Sequence, residues 1–156
     1  MLFLVRHAKA GHRNNDLPDD SKRPLTPAGW RQAHALVPRL VAAHATGPVL
    51  SSPYLRCVQT VEPLAERLET TVVDDDRLAE SHSFVPLIDL LEQLSDGAVL
   101  CSHGDIIPEV VQALERRGCR IVGQPHWKKA SVWALERDPT GRFVTASAWP
   151  PPADDR

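Results

Sequence analysis

The chain has 156 residues, of which 42% are hydrophobic and 24% are charged, so it fits one globular domain and excludes a low-complexity or globally disordered chain. The formal net charge of −2 excludes the strongly basic character typical of nucleic-acid-binding domains. The apolar run near the start, Leu2 to Val5, is far shorter than the ~18 residues of a membrane span, and three widely spaced cysteines fit buried thiols. These features predict a cytoplasmic protein that binds neither nucleic acid nor membrane.

The first elements are a strand, a long loop and a helix. Leu2 to Val5 are consecutive apolar residues and predict a strand buried on both faces of a parallel sheet. Residues 8–25 are polar and charged, and they predict a loop of a length that is usually functional or disordered. Thr26 supplies an N-cap and Pro27 a first helical position, so we expect a helix from there to about His44.

The second strand lies between two helices that each contain a proline. Pro38 is expected to kink the first helix, and residues 49–50 predict the second strand. The next helix is expected from Tyr54 to Leu68, with a kink or a break at Pro63. Residues 71–73 then predict a third strand, which leads into an acidic loop.

The second half repeats the alternation and ends in a hairpin. Its expected elements are a loop at 77–83, a helix at 85–94, a strand at 98–101, a helix at 107–117 and strands at 131–136 and 142–147. The turn signature at 138–141 joins the last two strands. We therefore predict a three-layer α/β fold, in which a mostly parallel sheet has helices on both faces and is completed by the C-terminal hairpin. The domain is expected to span residues 1–149, followed by a disordered tail at 150–156.

The residues that follow the predicted strands carry the chemistry, because ligands of open α/β sheets bind beyond the carboxyl ends of the strands. In chain order these residues are Arg6 and His7, Arg56, Glu80 and His103. Guanidinium groups match phosphate oxygens, and a neutral imidazole is a competent nucleophile near pH 7. A carboxyl group protonates a leaving oxygen if its site raises its pKa. The set predicts phosphoryl transfer that needs no metal or other cofactor.

Several charged residues leave two interpretations open. Lys9 and Arg23 lie on the first loop, where they either bind phosphate or only solvate the loop. Glu80 stands in an acid-rich region, where a solvated carboxylate is the usual outcome. Lys128 and Lys129 could contact an anionic substrate, although a solvated turn is favoured. The chain has no HExxH or Cys-x-x-Cys pattern for a metal and no Gly-rich nucleotide-binding loop.

Four blocks of the sequence resemble the histidine phosphatase superfamily, the phosphoglycerate-mutase-like proteins. Residues 4–10 resemble its signature, in which a strand ends in Arg-His and the histidine becomes phosphorylated. Residues 21–26, followed by Gly29, are similar to the small SixA-like branch and to the phosphatase domain of some MutT-type Nudix proteins. Residues 51–60 resemble the block with a phosphate-binding arginine, and residues 102–104 resemble the block with the second histidine.

The resemblance implies a role for each matching residue. His7 corresponds to the nucleophile, and the implied phosphate pocket consists of Arg6, Arg56 and His103, with Arg23 and Lys9 as further candidates. Residues 78–80 resemble a Leu-x-Glu segment of the family, which implies that Glu80 is the proton donor. The implied activity is hydrolysis through a phosphohistidine intermediate, without a metal.

The sequence departs from the family pattern at one position and in its length. Ala8 replaces the glycine that many members have after the nucleophile, but His7 is still expected to be oriented by a backbone carbonyl. The chain lacks the insertions that cap the site in sugar-phosphate mutases, which argues against a mutase or phosphotransferase. An open site favours a phosphohistidine protein as substrate. A small phosphorylated metabolite, such as a nucleotide handled beside a Nudix hydrolase, and a non-catalytic phosphate-binding module are the alternatives.

Overall fold

The computed structural model describes residues 1–13 and 18–153. The strands in this part of the chain are β1 Leu2–Arg6, β2 Val49–Ser51, β3 Val72–Asp74, β4 Val99–Ser102, β5 Arg120–Val122, β6 Val132–Arg137 and β7 Phe143–Trp149. The α-helices are α1 Pro27–Ala42, α2 Leu55–Arg67, α3 Val85–Gln93 and α4 Ile107–Arg116. Two 3-10 turns, Asp20–Lys22 and Asp76–Leu78, lie within or at the edge of segments that were expected to be loops.

The strands form one sheet with β1 near its centre. The order is β3-β2-β4-β1-β6-β7-β5, and only β6 runs antiparallel to its neighbours among the described pairings. Leu2 to Val5 in β1 are fully buried, which explains the continuous apolar run at the start of the chain. The predicted mostly parallel sheet, completed by the C-terminal hairpin of β6 and β7, is confirmed.

Helices cover both faces of the sheet. Leu2 and Leu4 of β1 belong to one hydrophobic core, to which α3 and α4 contribute. Phe3 and Val5 point to the opposite face and belong to a second core, to which α1 and α2 contribute. Because successive side chains of a strand alternate between faces, the first four residues of β1 help to build both cores. The predicted three-layer arrangement is therefore present.

The helix continues through the proline at position 63, so the predicted alternative of a break does not occur there, and a kink stays a prediction. The helix α2 continues through Pro63, and α1 likewise continues through Pro38. Each proline removes one hydrogen bond of the helix. In α2 the neighbouring side chains of Val61 and Leu64 are 1% exposed, and their burial against the core outweighs the lost bond.

The sheet has one strand that the sequence did not predict. β5 has three residues and pairs in parallel with β7 at the edge of the sheet. Its side chains are exposed or half-buried, so no apolar run or alternation signals it. The carbonyl of Pro150, at the start of the predicted tail, accepts a hydrogen bond of 3.1 Å from Arg39. The last three residues of that tail, 154–156, lie outside the described residues, and its disorder stays a prediction.

None of the helices in residues 1–13 and 18–153 is long and apolar enough to cross a membrane.

Candidate active site

The carboxyl ends of β1, β2 and β4 meet at one edge of the sheet and bring the predicted residues together. A cavity of about 440 Å³ opens there, which we call the His7 cavity. Its wall includes Arg6, His7, Arg23, Arg56 and Glu80. His103 is 1% exposed and lies close by, with its ring centre 5.6 Å from that of His7. The position of these residues after the predicted strands therefore indicated that their side chains would lie close together.

His7 is held in one orientation by its own neighbour in the chain. Its Nδ1 is 2.8 Å from the carbonyl oxygen of Ala8, so Nδ1 carries the proton and donates it, which leaves the lone pair on Nε2. The Ala8 N–H in turn donates to Thr60 Oγ1 at 2.9 Å, which fixes this backbone segment. Alanine in place of the family's glycine is compatible with this arrangement, because the Ala8 side chain is fully buried in the core.

The imidazole of His7 is neutral at physiological pH. Burial lowers its pKa to about 3. The hydrogen bond to Ala8 opposes this change, whereas the electrostatic effects of Arg56, His103 and Arg6 add to it. A neutral ring with a free Nε2 is the form of histidine that acts as a nucleophile.

Arg56 is a buried guanidinium held between two acids. Its side chain is 1% exposed, and Nη1 donates to the backbone carbonyl of Asp20 at 3.0 Å and lies 3.2 Å from its carboxylate. Nη2 donates to Glu80 Oε2 at 3.2 Å, and the guanidinium lies over the ring of Tyr54. Two carboxylates thus balance a charge that would otherwise be costly to bury.

His103 has one nitrogen bound and one without a partner. Its Nε2 lies 2.8 Å from Ser52 Oγ and 3.5 Å from Cys57 Sγ. Ser52 Oγ also accepts from the Tyr54 N–H, and when its hydroxyl donates to Nε2 the ring proton of His103 lies on Nδ1. Nδ1 is buried and has no hydrogen-bond partner within the described part of the chain. It therefore offers a donor for an oxygen atom of a ligand.

The guanidinium of Arg6 packs closely against Gly104, the residue after His103. A Cβ atom at position 104 would overlap the Arg6 guanidinium, so glycine is needed for this approach. The Arg6 Nη1 donates to the carbonyl of Trp127 at 2.7 Å. Nε of Arg6 is buried without a partner among the residues that the structure describes. One nitrogen of the Arg6 guanidinium is thus held by a backbone carbonyl, whereas the Nε donor lacks a hydrogen-bond acceptor among the described residues.

Glu80 lies in the site, with both oxygens engaged. Oε1 accepts from Arg13 at 3.3 Å and Oε2 accepts from Arg56 at 3.2 Å. Oε2 is also 3.6 Å from Nδ1 of His103. The solvated loop carboxylate that the sequence left as an alternative is therefore not what the structure has.

The two basic candidates of the first loop differ in position. Arg23 is 9% exposed, and its Nη1 donates to the carbonyls of Ala10 and Gly11, so it fastens the loop as well as lining the His7 cavity. Lys9 does not line the His7 cavity. It lines a neighbouring cavity together with Lys128.

The sequence did not indicate Asp20 as a site residue, and for Lys129 it favoured a solvated turn over contact with a substrate. Asp20 accepts a hydrogen bond of 2.9 Å from Nε of Arg23, and this bond is the main cause that lowers the pKa of its carboxyl. Nothing in the spacing of the first loop distinguishes Asp20 from its acidic neighbour Asp19. Lys129 was expected at a solvated turn, but it is half-buried and lines the His7 cavity.

The site suits a tetrahedral oxyanion. Guanidinium groups and an unpartnered ring N–H surround the free nitrogen of a neutral imidazole, which is the arrangement that a phosphoryl group needs for transfer. No cluster of three or more side chains suited to a metal ion occurs in residues 1–13 and 18–153.

Comparisons with known proteins identify the family of the chain. The model of the histidine phosphatase superfamily (branch 1) matches residues 2–83. An 8-oxo-(d)GTP phosphatase of Mycolicibacterium smegmatis (strain ATCC 700084 / mc(2)155) is 32% identical over 157 residues, covering 97% of this chain and 48% of that protein. The chain thus spans about half the length of this curated relative.

Solved structures of phosphatases share the fold of this chain. The protein histidine phosphatase SixA complexed with tungstate has a TM-score of 0.72 and 22% identity, with 92% of each chain covered. A mycobacterial glucosyl-3-phosphoglycerate phosphatase in complex with VO3 has a TM-score of 0.66 and 19% identity, covering 97% of this chain and 99% of that one.

Proposed function

The chain belongs to the histidine phosphatase superfamily, and from this premise we propose that it removes a phosphoryl group from its substrate through a phosphohistidine on His7. The observation that carries the proposal is the hydrogen bond from Nδ1 of His7 to the Ala8 carbonyl, because it leaves Nε2 of a neutral ring free. The nearby charges of Arg6 and Arg56 support it.

The first step is attack of the His7 Nε2 lone pair on phosphorus. A P–N bond forms, the bond from phosphorus to the leaving group breaks, and the leaving group keeps the electron pair. Arg6, Arg56 and the Nδ1–H of His103 stabilise the charge on the phosphoryl oxygens. In the second step water attacks phosphorus, the P–N bond breaks, and orthophosphate and neutral His7 result.

The proposed reaction needs no metal, because side chains supply the positive charge. Buried guanidinium groups keep their charge at all working pH values and bind phosphate oxygens through two donors at once. Glu80 is the proposed proton donor for leaving groups that need one. A leaving group that is stable without a proton makes no demand on this carboxyl, so we expect the role to matter only for poor leaving groups.

Two substrate classes are supported by different observations. A phosphohistidine protein, the class favoured by the SixA resemblance, is supported by the shared fold and by a His7 cavity that opens directly to the surface. A small phosphorylated metabolite such as a nucleotide is supported by the 32% identity to a protein named for 8-oxo-(d)GTP. It is supported as well by the basic cavity beside the His7 cavity.

The test is hydrolysis of 4-nitrophenyl phosphate with EDTA present. Wild type should turn over, and His7→Ala should lose about a thousandfold or more in kcat/KM, because the nucleophile is gone. His34→Ala, which removes an exposed histidine of α1, is the matched control. Wild-type protein quenched during turnover should carry an acid-labile, base-stable phosphoryl label. Turnover that survives His7→Ala, or that EDTA abolishes, would contradict the proposal.

A further inference from the structure

A second cavity adjoins the His7 cavity and shares part of its wall. It has a volume of about 740 Å³, and we call it the Lys9 cavity. Arg6, Gly11, His12 and Lys129 line both cavities. A molecule whose reacting group lies beside His7 can therefore extend past Arg6 and Lys129 into the Lys9 cavity.

The charge of the Lys9 cavity is of one sign. Arg6, Lys9, Lys128 and Lys129 line it, and no carboxylate among the described residues does. The His7 cavity differs, because Glu80 and Asp105 are part of its wall. None of these lysines forms an ion pair with any described residue. The lysines of the cavity therefore carry positive charge that no ion pair among the described residues balances.

The pKa of Lys129, at the junction of the two cavities, reflects the excess of positive charge. Burial lowers its pKa, and four positive neighbours lower it further: Arg6, Arg23, Arg56 and Lys9. A bound anion at the junction would reverse the effect of these neighbours.

The hydrogen bonds of Glu80 indicate which kind of leaving group suits the site. Both of its oxygens accept hydrogen bonds from guanidinium groups, so a leaving group that needs no proton can depart without disturbing these contacts. A leaving group that is itself a phosphate keeps the electron pair on an oxygen that is stable without a proton. The acid and the Lys9 cavity thus favour the same class of leaving group.

We infer that the Lys9 cavity binds an anionic phosphate of the leaving group, so that the substrate class is a phosphoanhydride whose terminal phosphoryl group reacts with His7. This inference rests on the proposed function. The bond between the terminal phosphorus and the bridging oxygen breaks. The bridging oxygen leaves with the electron pair on the phosphate that Lys9 and Lys128 hold, and water then releases orthophosphate from His7.

Calorimetric titration with pyrophosphate and with orthophosphate, in metal-free buffer, tests the assignment. Wild type should bind pyrophosphate about tenfold more tightly than orthophosphate, because the second phosphate gains charge-assisted hydrogen bonds. Lys128→Gln, and separately Lys9→Gln, should remove at least about threefold of that preference. Both lysines are exposed, so neither variant removes core packing. Lys22→Gln removes the same charge from an exposed lysine that lines neither cavity, and it should keep the preference.

Two results would overturn the inference. One is equal affinity of the wild type for pyrophosphate and orthophosphate. The other is a loss in Lys22→Gln as large as in Lys128→Gln, since the preference would then come from the general field of the protein. Binding requires no turnover, so a chain that prefers pyrophosphate but has no His7-dependent activity contradicts only the proposed function. An active chain without the preference contradicts only the assignment of the Lys9 cavity.

Discussion

At the scale of single residues, the site depends on a histidine that is buried without becoming charged. His7 is 5% exposed and follows β1, whose first four residues are fully buried. Its ring is fixed by a backbone carbonyl, and the surrounding positive charges keep a proton away from it. The same burial that makes the ring a nucleophile links the stability of the fold to pH.

We expect His7 to make the fold less stable as the pH falls from about 6.5 to about 3. In this range the unfolded chain binds a proton at position 7 and the folded chain does not, because the folded pKa is lowered to about 3. Well above pH 6.5 the ring is neutral in both states and its titration costs no stability, and the cost grows as the pH drops. At pH 4.5 the loss from this residue should be about 2 to 3 kcal/mol.

Urea unfolding of wild type and His7→Gln at pH 7 and pH 4.5 measures this effect. Glutamine does not titrate, so the variant should lose less free energy of unfolding between the two pH values than the wild type does. Equal losses in the two proteins would show that the imidazole is not buried in its neutral form.

Whether a site residue could be predicted from the sequence depends on whether it follows a strand or lies on a loop. Arg6, His7 and His103 stand next to strand ends, so their meeting could be predicted from the direction of parallel strands. Asp20 and Lys129 reach the site through loops that cross the sheet edge. Their contacts depend on how those loops fold back, which no local periodicity encodes.

At the scale of elements, the 3-10 turn Asp20–Lys22 secures the entrance to the site. Asp19 caps the turn by accepting from the Ser21 N–H, and Asp20 binds Arg23 and Arg56. A segment that composition described only as a polar loop is therefore tied to the buried arginine of α2. The turn was not predicted, because its three residues carry no apolar pattern.

Asp20→Asn should lower the free energy of unfolding by about 1 to 2 kcal/mol, since Arg56 loses one of its charged partners and stays buried. Orthophosphate can supply the missing negative charge. It should therefore raise the melting temperature of this variant by more than it raises that of wild type.

Thermal unfolding with and without orthophosphate checks both expectations. Asp19→Asn is the matched control, because asparagine also caps a turn and Asp19 has no contact with Arg56. If the two variants behave alike, Asp20 has no special part in holding Arg56.

At the scale of the whole molecule, the order of the strands makes β1 depend on distant parts of the chain. β1 pairs with β4 on one side and with β6 on the other. The presence of a C-terminal hairpin was predictable from its turn residues. Its pairing with β1 was not, because strand partners far apart in sequence are selected by the assembled core and leave no local signal.

A chain that ends at residue 130 should fail to fold cooperatively. It lacks β6 and β7, so β1 loses its hydrogen-bonded neighbour and Trp133, which is 1% exposed, no longer fills the core. A chain that ends at residue 149 keeps every strand and should unfold in one cooperative transition, which also tests the predicted domain boundary. Circular dichroism during heating compares the two, and a cooperative transition in the shorter chain would contradict this account.

The pairing of β1 with β6 also determines when the sheet can be completed during synthesis of the chain. A ribosome that adds about 5–20 residues per second reaches β6 on the order of ten seconds after β1. Until then the edge of an apolar strand has no partner. The Ala130 N–H, which donates to the carbonyls of Arg6 and His7, arrives only just before β6. A nascent chain therefore exposes an unpaired apolar strand until β6 has been made, and only then are the backbone hydrogen bonds around Arg6 and His7 complete.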